Sequence, residues 1–251
     1  MSQRDHAFTP NTLLTALPDD DLALLMPSLQ RVPIEREQVL QARDQPTEHV
    51  YFLEGGIASI VSIRPESGRT EVGIFGREGV SGTSVLLGID RSPHETFIQV
   101  NHSNALRIES DRLQAAMKAS PSLTTALLAF VQVSLIQTAA CAVGNAHHRL
   151  EARLARWLLM CHDRVDGDEI HLTHEFMAIM IASQRSGVTV TLHVLEGIGA
   201  IRSKRGKVII LDREKLEELA GDAYGEPEEE YRRLIGPFGR GKEEAQASRV
   251  H

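Results

Sequence analysis

Apolar residues recur at different spacings along the chain, and each spacing predicts a different kind of element. From Val32 to about Ile108 they come in short β-type runs separated by Gly, Pro, Asn and Asp. The clearest unit is Val50–Val61, two strands around Gly55-Gly56; Glu71–Phe75, Thr96–Val100 and Ala105–Ile108 continue the series. Short strands at this spacing indicate a sandwich or barrel rather than alternating β/α units. Ahead of them, Thr12–Leu29 reads as short helices around Pro18 and Pro27.

Helical spacing takes over at Asp111–Lys118 and in a long segment from Pro121 to about Arg164, with a break predicted near Asn145–Arg149. Leu128, Val131, Leu135, Thr138 and Ala142 step by three and four residues, the spacing of a two-helix seam. Small residues beside them would let two helices approach closely, so this stretch is expected to be a dimer helix; a helix packed on its own domain is the alternative. Arg149–Cys161 predicts an amphipathic helix with Leu150, Leu154, Trp157 and Leu158 inward.

The densest pattern is Leu172–Asp212. Thr173 is placed to cap a helix over His174–Ala182, with Glu175 favourable near its positive end. Ser183 and Gln184 make the turn, and Arg185–Glu196 forms a second helix in which Val188, Leu192 and Leu195 point inward. Arg185, Ser186, Thr189, Val190 and His193 then lie on opposite or flanking faces. Gly197 and Gly199 end that helix, and Ala200–Ser203 and Lys207–Leu211 make a hairpin around Lys204-Arg205-Gly206. A helix, a turn and a second helix exposing Arg185 is the arrangement that carries side chains to base edges in a DNA major groove. Arg185, Ser186, Thr189 and Val190 are the candidate base readers. Thr173, His174, Gln184, His193, Arg202, Lys204, Arg205 and Lys207 are the candidate phosphate contacts.

Net charge does not favour a polyanion partner, since the formal total is -7. Its distribution does. Residues 1–146 hold 11 Lys+Arg against 16 Asp+Glu, whereas 176–211 hold five cations and one acid, Glu196. A locally cationic face on an acidic body can steer onto DNA while limiting non-specific capture. Cys141 and Cys161 are too few for a disulfide framework. The N-terminus has no apolar signal core and no run is read as approaching about 18 apolar residues, so a cytoplasmic protein without a membrane partner is expected. No phosphate-binding Gly-Lys-Ser/Thr loop is present, and Gly79-Val-Ser-Gly82 is not a nucleophile elbow, so no catalytic residues are assigned and an enzyme is not expected.

The order of parts resembles the Crp/Fnr family of bacterial transcription regulators, over about residues 12–215. The resemblance is strongest in RLARWLL (Arg153–Leu159) and in Leu172–Asp212, where LTHEFMAIMIASQRSGVT follows a pattern seen in several such regulators. It implies an α+β chain: an antiparallel, cyclic-nucleotide-binding-like β-roll (jelly roll) at 12–118, a central dimerisation helix at 119–146, and a winged helix-turn-helix at 147–215. An acidic, partly disordered tail would follow at 216–251. It also implies a homodimer on an inverted-repeat operator in double-stranded DNA, with RNA polymerase a further partner to consider.

Departures from the family pattern are informative. In cyclic-AMP-responsive members the residue after the first reading Arg is Glu and a second reading Arg follows; Ser186 and Val190 stand there. The ribose and phosphate contacts of a cyclic nucleotide match Gly82-Thr83 and His94-Glu95, and a carboxylate at Glu95 would repel a phosphate. These four residues therefore form a degenerate effector pocket, and cyclic-nucleotide binding by the usual contacts is not expected. Two cysteines cannot hold an iron–sulfur cluster. His94 or His102 as a haem ligand, His147-His148 or His171 with His174 as a metal pair, and Asp166-Gly-Asp-Glu169 as a calcium loop all have surface readings that suit them better. No cofactor or metal is assigned, and the effector stays unknown. Two alternatives stay open: a sensor or protein-interaction module that has lost DNA binding, and a true cyclic-AMP-responsive regulator.

Overall fold

The computed structural model describes residues 8–66, 68–100 and 103–240. His102 and the end of the tail from 241 lie outside them. Two short helices, α1 (Thr12–Thr15) and α2 (Asp19–Leu25), precede seven strands: β1 (Gln30–Ile34), β2 (Val39–Gln41), β3 (His49–Leu53), β4 (Ile57–Arg64), β5 (Gly68–Phe75), β6 (His94–Val100) and β7 (Ser103–Glu109). The one-turn helix α3 (Thr83–Leu86) sits between β5 and β6. The strands pair antiparallel in two sheets, ordered β1-β7-β3 and β2-β6-β4-β5. This is the expected roll. The strands on either side of Gly55-Gly56 do not pair with each other; they lie in different sheets, and the glycine pair carries the chain across. A Cβ on Gly55 would meet Ser103 Oγ at 2.6 Å, so a larger residue there would have to displace that hydroxyl.

Helix α4 (Ser110–Ala119) leads into α5 (Pro121–His147), whose N-terminus is capped by Ser120 accepting from Leu123 N–H. The helix ends close to the expected break. Leu123, Leu127, Phe130 and Val133 are buried, with Phe130 packed edge-on against Phe75 of the roll. On the seam, Leu128, Leu135, Thr138 and Ala142 are exposed, whereas Val131 is buried. Val131 thus faces the chain's own core, in the N-terminal half of the helix, where the roll covers that side. One expectation is corrected here. α5 is long and apolar enough to cross a membrane by length and composition, with a mean hydropathy of 1.9. Scattered Thr, Ser and Gln interrupt every continuous apolar run along it, so a search for unbroken runs does not find it.

Beyond a break at His148-Arg149 come α6 (Leu150–His162), β8 (Glu169–Ile170), α7 (His174–Met180), α8 (Arg185–Gly197), β9 (Ile201–Lys204), β10 (Lys207–Ile210) and α9 (Arg213–Ala220). The hairpin gains an unanticipated third strand, giving the order β8-β10-β9. Part of the tail is helical. α10 (Glu226–Leu234) packs against α5, and Tyr231 is only 1% exposed. Its acid-rich sequence hides one apolar stripe, of which Pro227 and Tyr231 are the buried members.

The winged domain folds back onto the outer face of the β4–β5–β6 sheet, and one apolar core runs through both. Phe176 of α7 meets Phe97 of β6 edge-on, ring centroids 6.0 Å apart. At the centre of this contact Glu71 is fully enclosed: Trp157 Nε1 donates to its Oε1 at 2.9 Å, and Ser59 Oγ lies 2.9 Å from its Oε2. Ser59 Oγ also contacts Gln99 Oε1. One hydroxyl hydrogen cannot serve both oxygens; a proton on Glu71 Oε2 donated to Ser59, or a turned Gln99 amide whose otherwise unpartnered Nε2 donates to it, resolves the chain. Burial pushes the Glu71 carboxyl up to about 8, against the hydrogen bonds from Ser59 and Trp157 and the charges of Arg156 and Arg164. Burial also raises the Cys161 and Cys141 thiols, and both cysteines are free.

Candidate nucleic-acid interface

The helix-turn-helix is assembled from local hydrogen bonds that fix where α8 begins. Thr173 Oγ1 accepts from Phe176 N–H at 3.2 Å, capping α7. α7 ends at Met180, two residues short of the expected end, because Ala182 adopts a left-handed backbone (φ 47°) that no helix can continue. Arg153 of α6 donates to the carbonyls of Ile181 and Ala182, closing the open end of α7. Gln184 then stands at the cap position of α8 without a side-chain cap bond. Val188, Thr191, Leu192 and Leu195 are buried, so the inward face of α8 is the one its spacing predicts. Gly187 sets how close α8 lies to α6: a Cβ there would meet Leu150 Cδ2 at 3.1 Å.

Arg185, the first residue of α8, is exposed and has no side-chain partner among the described residues. Ser186 and Val190 are exposed, Val190 by 65%. Thr189 is half-buried: its hydroxyl donates to the Arg185 carbonyl at 3.0 Å and lies 3.1 Å from His174 Nδ1. With its hydrogen committed, it presents chiefly a methyl group outward. His193 is exposed beside Glu196, 3.4 Å away. Glu196 in turn accepts from Ser203 N–H, tying α8 to the wing.

In the wing, Arg202, Lys204 and Arg205 are exposed, and the tight turn rests on Gly206 at φ 78°. Lys207 differs from its assigned role. Its ammonium lies 2.7 Å from both carboxylate oxygens of Glu169 across the sheet, and that ion pair holds Glu169 below the usual carboxylate range. Glu169 could not be linked to Lys207 by spacing, since the pairing depends on the two-residue strand β8. Arg153, Ala182 and Gly187 were likewise not singled out, although the tight connection itself called for an unusual backbone residue.

The four pocket residues come from two elements, Gly82 and Thr83 at the start of α3 and His94 and Glu95 on β6. Gly82 (φ 71°) precedes α3 and packs against Val50, and Thr83 opens that helix. Glu95 shares a strand face with Phe97 and is ion-paired to Arg69, so it looks toward the winged domain rather than into the roll. Burial, with the charges of Arg64 and Arg43, lowers His94. No hydrogen bond or ion pair joins Gly82 or Thr83 to His94 or Glu95 among the described residues. Of the other histidines proposed as ligands, His148 lies 3.2 Å from Asp222 and His171 3.2 Å from Glu169. No group of three or more His, Cys, Asp or Glu is placed to hold a metal among the described residues.

A capped helix, a locked turn, an exposed second helix and a cationic wing define a winged helix-turn-helix domain. Residues 152–219 match the Crp-like helix-turn-helix domain model, which ends before α10. With the roll and long helix in front of that domain, the chain has the fold of Crp/Fnr-type regulators. It is 25% identical over 191 residues to the global nitrogen regulator of Nostoc sp. strain PCC 7120, covering 72% of this chain and 82% of that protein. A putative Crp/Fnr regulator from Eubacterium rectale shares the fold, with a TM-score of 0.65, 17% identity and coverage of 83% of this chain and 97% of that one. FixK2 from Bradyrhizobium japonicum does so with a TM-score of 0.64, 16% identity and coverage of 77% and 98%.

Proposed function

We propose that the protein is a homodimeric, sequence-specific regulator that reads an inverted repeat. Arg185 makes the leading base contact and Ser186 and Val190 set the rest of the preference. The observation that carries this is an unpaired, exposed Arg185 at the start of a helix whose position is fixed by Arg153, Gly187 and the His174–Thr189 contact between α7 and α8. A guanidinium there can take guanine O6 and N7 together, and Val190 can meet a thymine methyl. Lys204, Arg205 and Arg202, with His174, Gln184, Thr173 and His193 around them, supply backbone contacts; Lys207 buttresses the wing. Residues 12–118, 119–146 and 147–215 act as effector domain, dimer helix and reader. The exposed stripe of Leu128, Leu135, Thr138 and Ala142 supports a two-fold partner, which would give two readers for two half-sites.

An effector other than a cyclic nucleotide held by the usual contacts fits the roll best, since Glu95 stands where a phosphate partner is needed and is itself paired with Arg69. Selection of duplexes from a random pool by the purified chain tests the main reading. One enriched inverted repeat is expected, and Arg185→Ala should flatten its preference by about 1–3 kcal/mol per half-site base. No enrichment, or selectivity that survives Arg185→Ala, would favour a sensor or interaction module instead.

A further inference from the structure

Past α9 the chain turns at Gly221–Ala223, forms α10 and runs back across the seam between the winged domain and the roll. Tyr231 donates its hydroxyl to the Glu78 carbonyl at 2.8 Å, in the loop after β5. Its ring packs on Phe238, centroids 5.0 Å apart, and Phe238 covers the Arg164 guanidinium at 4.9 Å. Arg164, just beyond α6, donates to Glu78 Oε1 at 2.8 Å, with both side chains 3% exposed. On the far side Arg240 donates to Asp168 Oδ1 at 3.0 Å, to the His162 and Val165 carbonyls at 3.2 Å each, and to that of Gly167. One segment therefore grips the roll at Glu78 and the 162–168 turn of the winged domain together.

We infer that residues 221–240 are an intramolecular clamp that holds the winged domain folded back on the roll, in an arrangement of low DNA affinity. The low-affinity half rests on the DNA-binding reading above; the clamp itself does not. The backbone link between the halves is only His148-Arg149, so the domain's orientation is set by non-covalent contacts. The Arg164–Glu78 pair is the inner catch. A buried pair holds only with complete geometry and without water, and Tyr231 and Phe238 supply that cover. Glu228 of α10 is 2% exposed and its Oε2 has no hydrogen-bond partner. Release returns that oxygen to water, which makes the clamp easier to open than a fully satisfied contact.

Folding back sets the acid-rich roll against α7, the helix that crosses the DNA backbone in this motif. Residues 1–146 carry 16 acids against 11 cations, and placing them beside a polyanion slows approach and weakens binding.

The test compares the full chain, a chain ending at Ala220, and a full-length Tyr231→Phe/Arg240→Ala double variant. Amide exchange is read at 76–80 and 163–168, and affinity is read on the duplex selected from the random pool. Both variants should exchange at least tenfold faster at both loops and bind the duplex at least fivefold more tightly. Unchanged exchange would overturn the clamp, and faster exchange with unchanged or weaker binding would overturn its inhibitory role. If the shortened chain does not fold, the double variant decides. Faster exchange with no duplex bound by any form would refute the DNA-binding reading and leave the clamp standing.

Discussion

Glu71 gives the sharpest stability prediction, because a buried carboxyl at the join of two domains must respond to pH. In the unfolded chain it releases its proton near the ordinary 4.5, whereas in the folded protein it keeps it until about 8. Across that window the unfolded state binds fewer protons, so stability falls as pH rises and levels off above 8. Every tenfold change in proton affinity between the two states is worth roughly 1.4 kcal/mol, so the loss reaches about 3 kcal/mol by pH 7 and on the order of 5 kcal/mol by pH 8. These are upper limits, since a small parting of the domains would let water reach the carboxylate. Glu71→Gln mimics the protonated acid: its carbonyl still accepts from Trp157 Nε1, and its amide donates to Ser59. The variant should match the wild type near pH 5 and exceed it by up to about 3 kcal/mol at pH 7. Urea unfolding followed by fluorescence measures this directly, because Trp157 is the single tryptophan and is buried beside Glu71. Parallel pH profiles for the two proteins between pH 5 and 8 would refute the reasoning.

Three other outcomes are expected. Ala182→Gly should raise stability by roughly 0.5–1 kcal/mol, because the left-handed backbone costs an L-residue more than glycine's extra freedom costs the fold; an unchanged or lower melting temperature would contradict it. Leu135→Glu, on a side chain 61% exposed in the single chain, should convert a sedimenting dimer to monomer with little change in monomer melting. Removing Lys204 and Arg205 together should reduce the salt slope of duplex binding by about 2, whereas Lys207→Ala should leave it nearly unchanged because Glu169 already neutralises Lys207.

What could be read in the sequence was set by range. Periods of two and of three to four residues located strands β3 to β7 and helices α5, α6 and α8 to within a few residues, since burial of one face imposes them locally. Caps did the same for Thr173. Contacts between distant segments were not legible: Glu71 with Trp157, Glu78 with Arg164 and Tyr231, and Lys207 with Glu169 each join elements far apart in the chain. The acidic composition of α10 pointed to solvent because it dilutes the few apolar positions that anchor the helix. Glu95 was placed by alignment opposite a phosphate, but strand alternation turns it outward to Arg69, a consequence of register that spacing alone does not fix.

From Pro121 to His147 the long helix contains no aspartate, glutamate, lysine or arginine. Apart from His147 at its last turn, whatever rests on its open side therefore finds mostly methyl groups, amides and hydroxyls, and little in this half of the contact can form an ion pair. Ionic strength should then act unequally on the molecule: added salt would dislodge nucleic acid from the wing while leaving a pairing along this helix untouched.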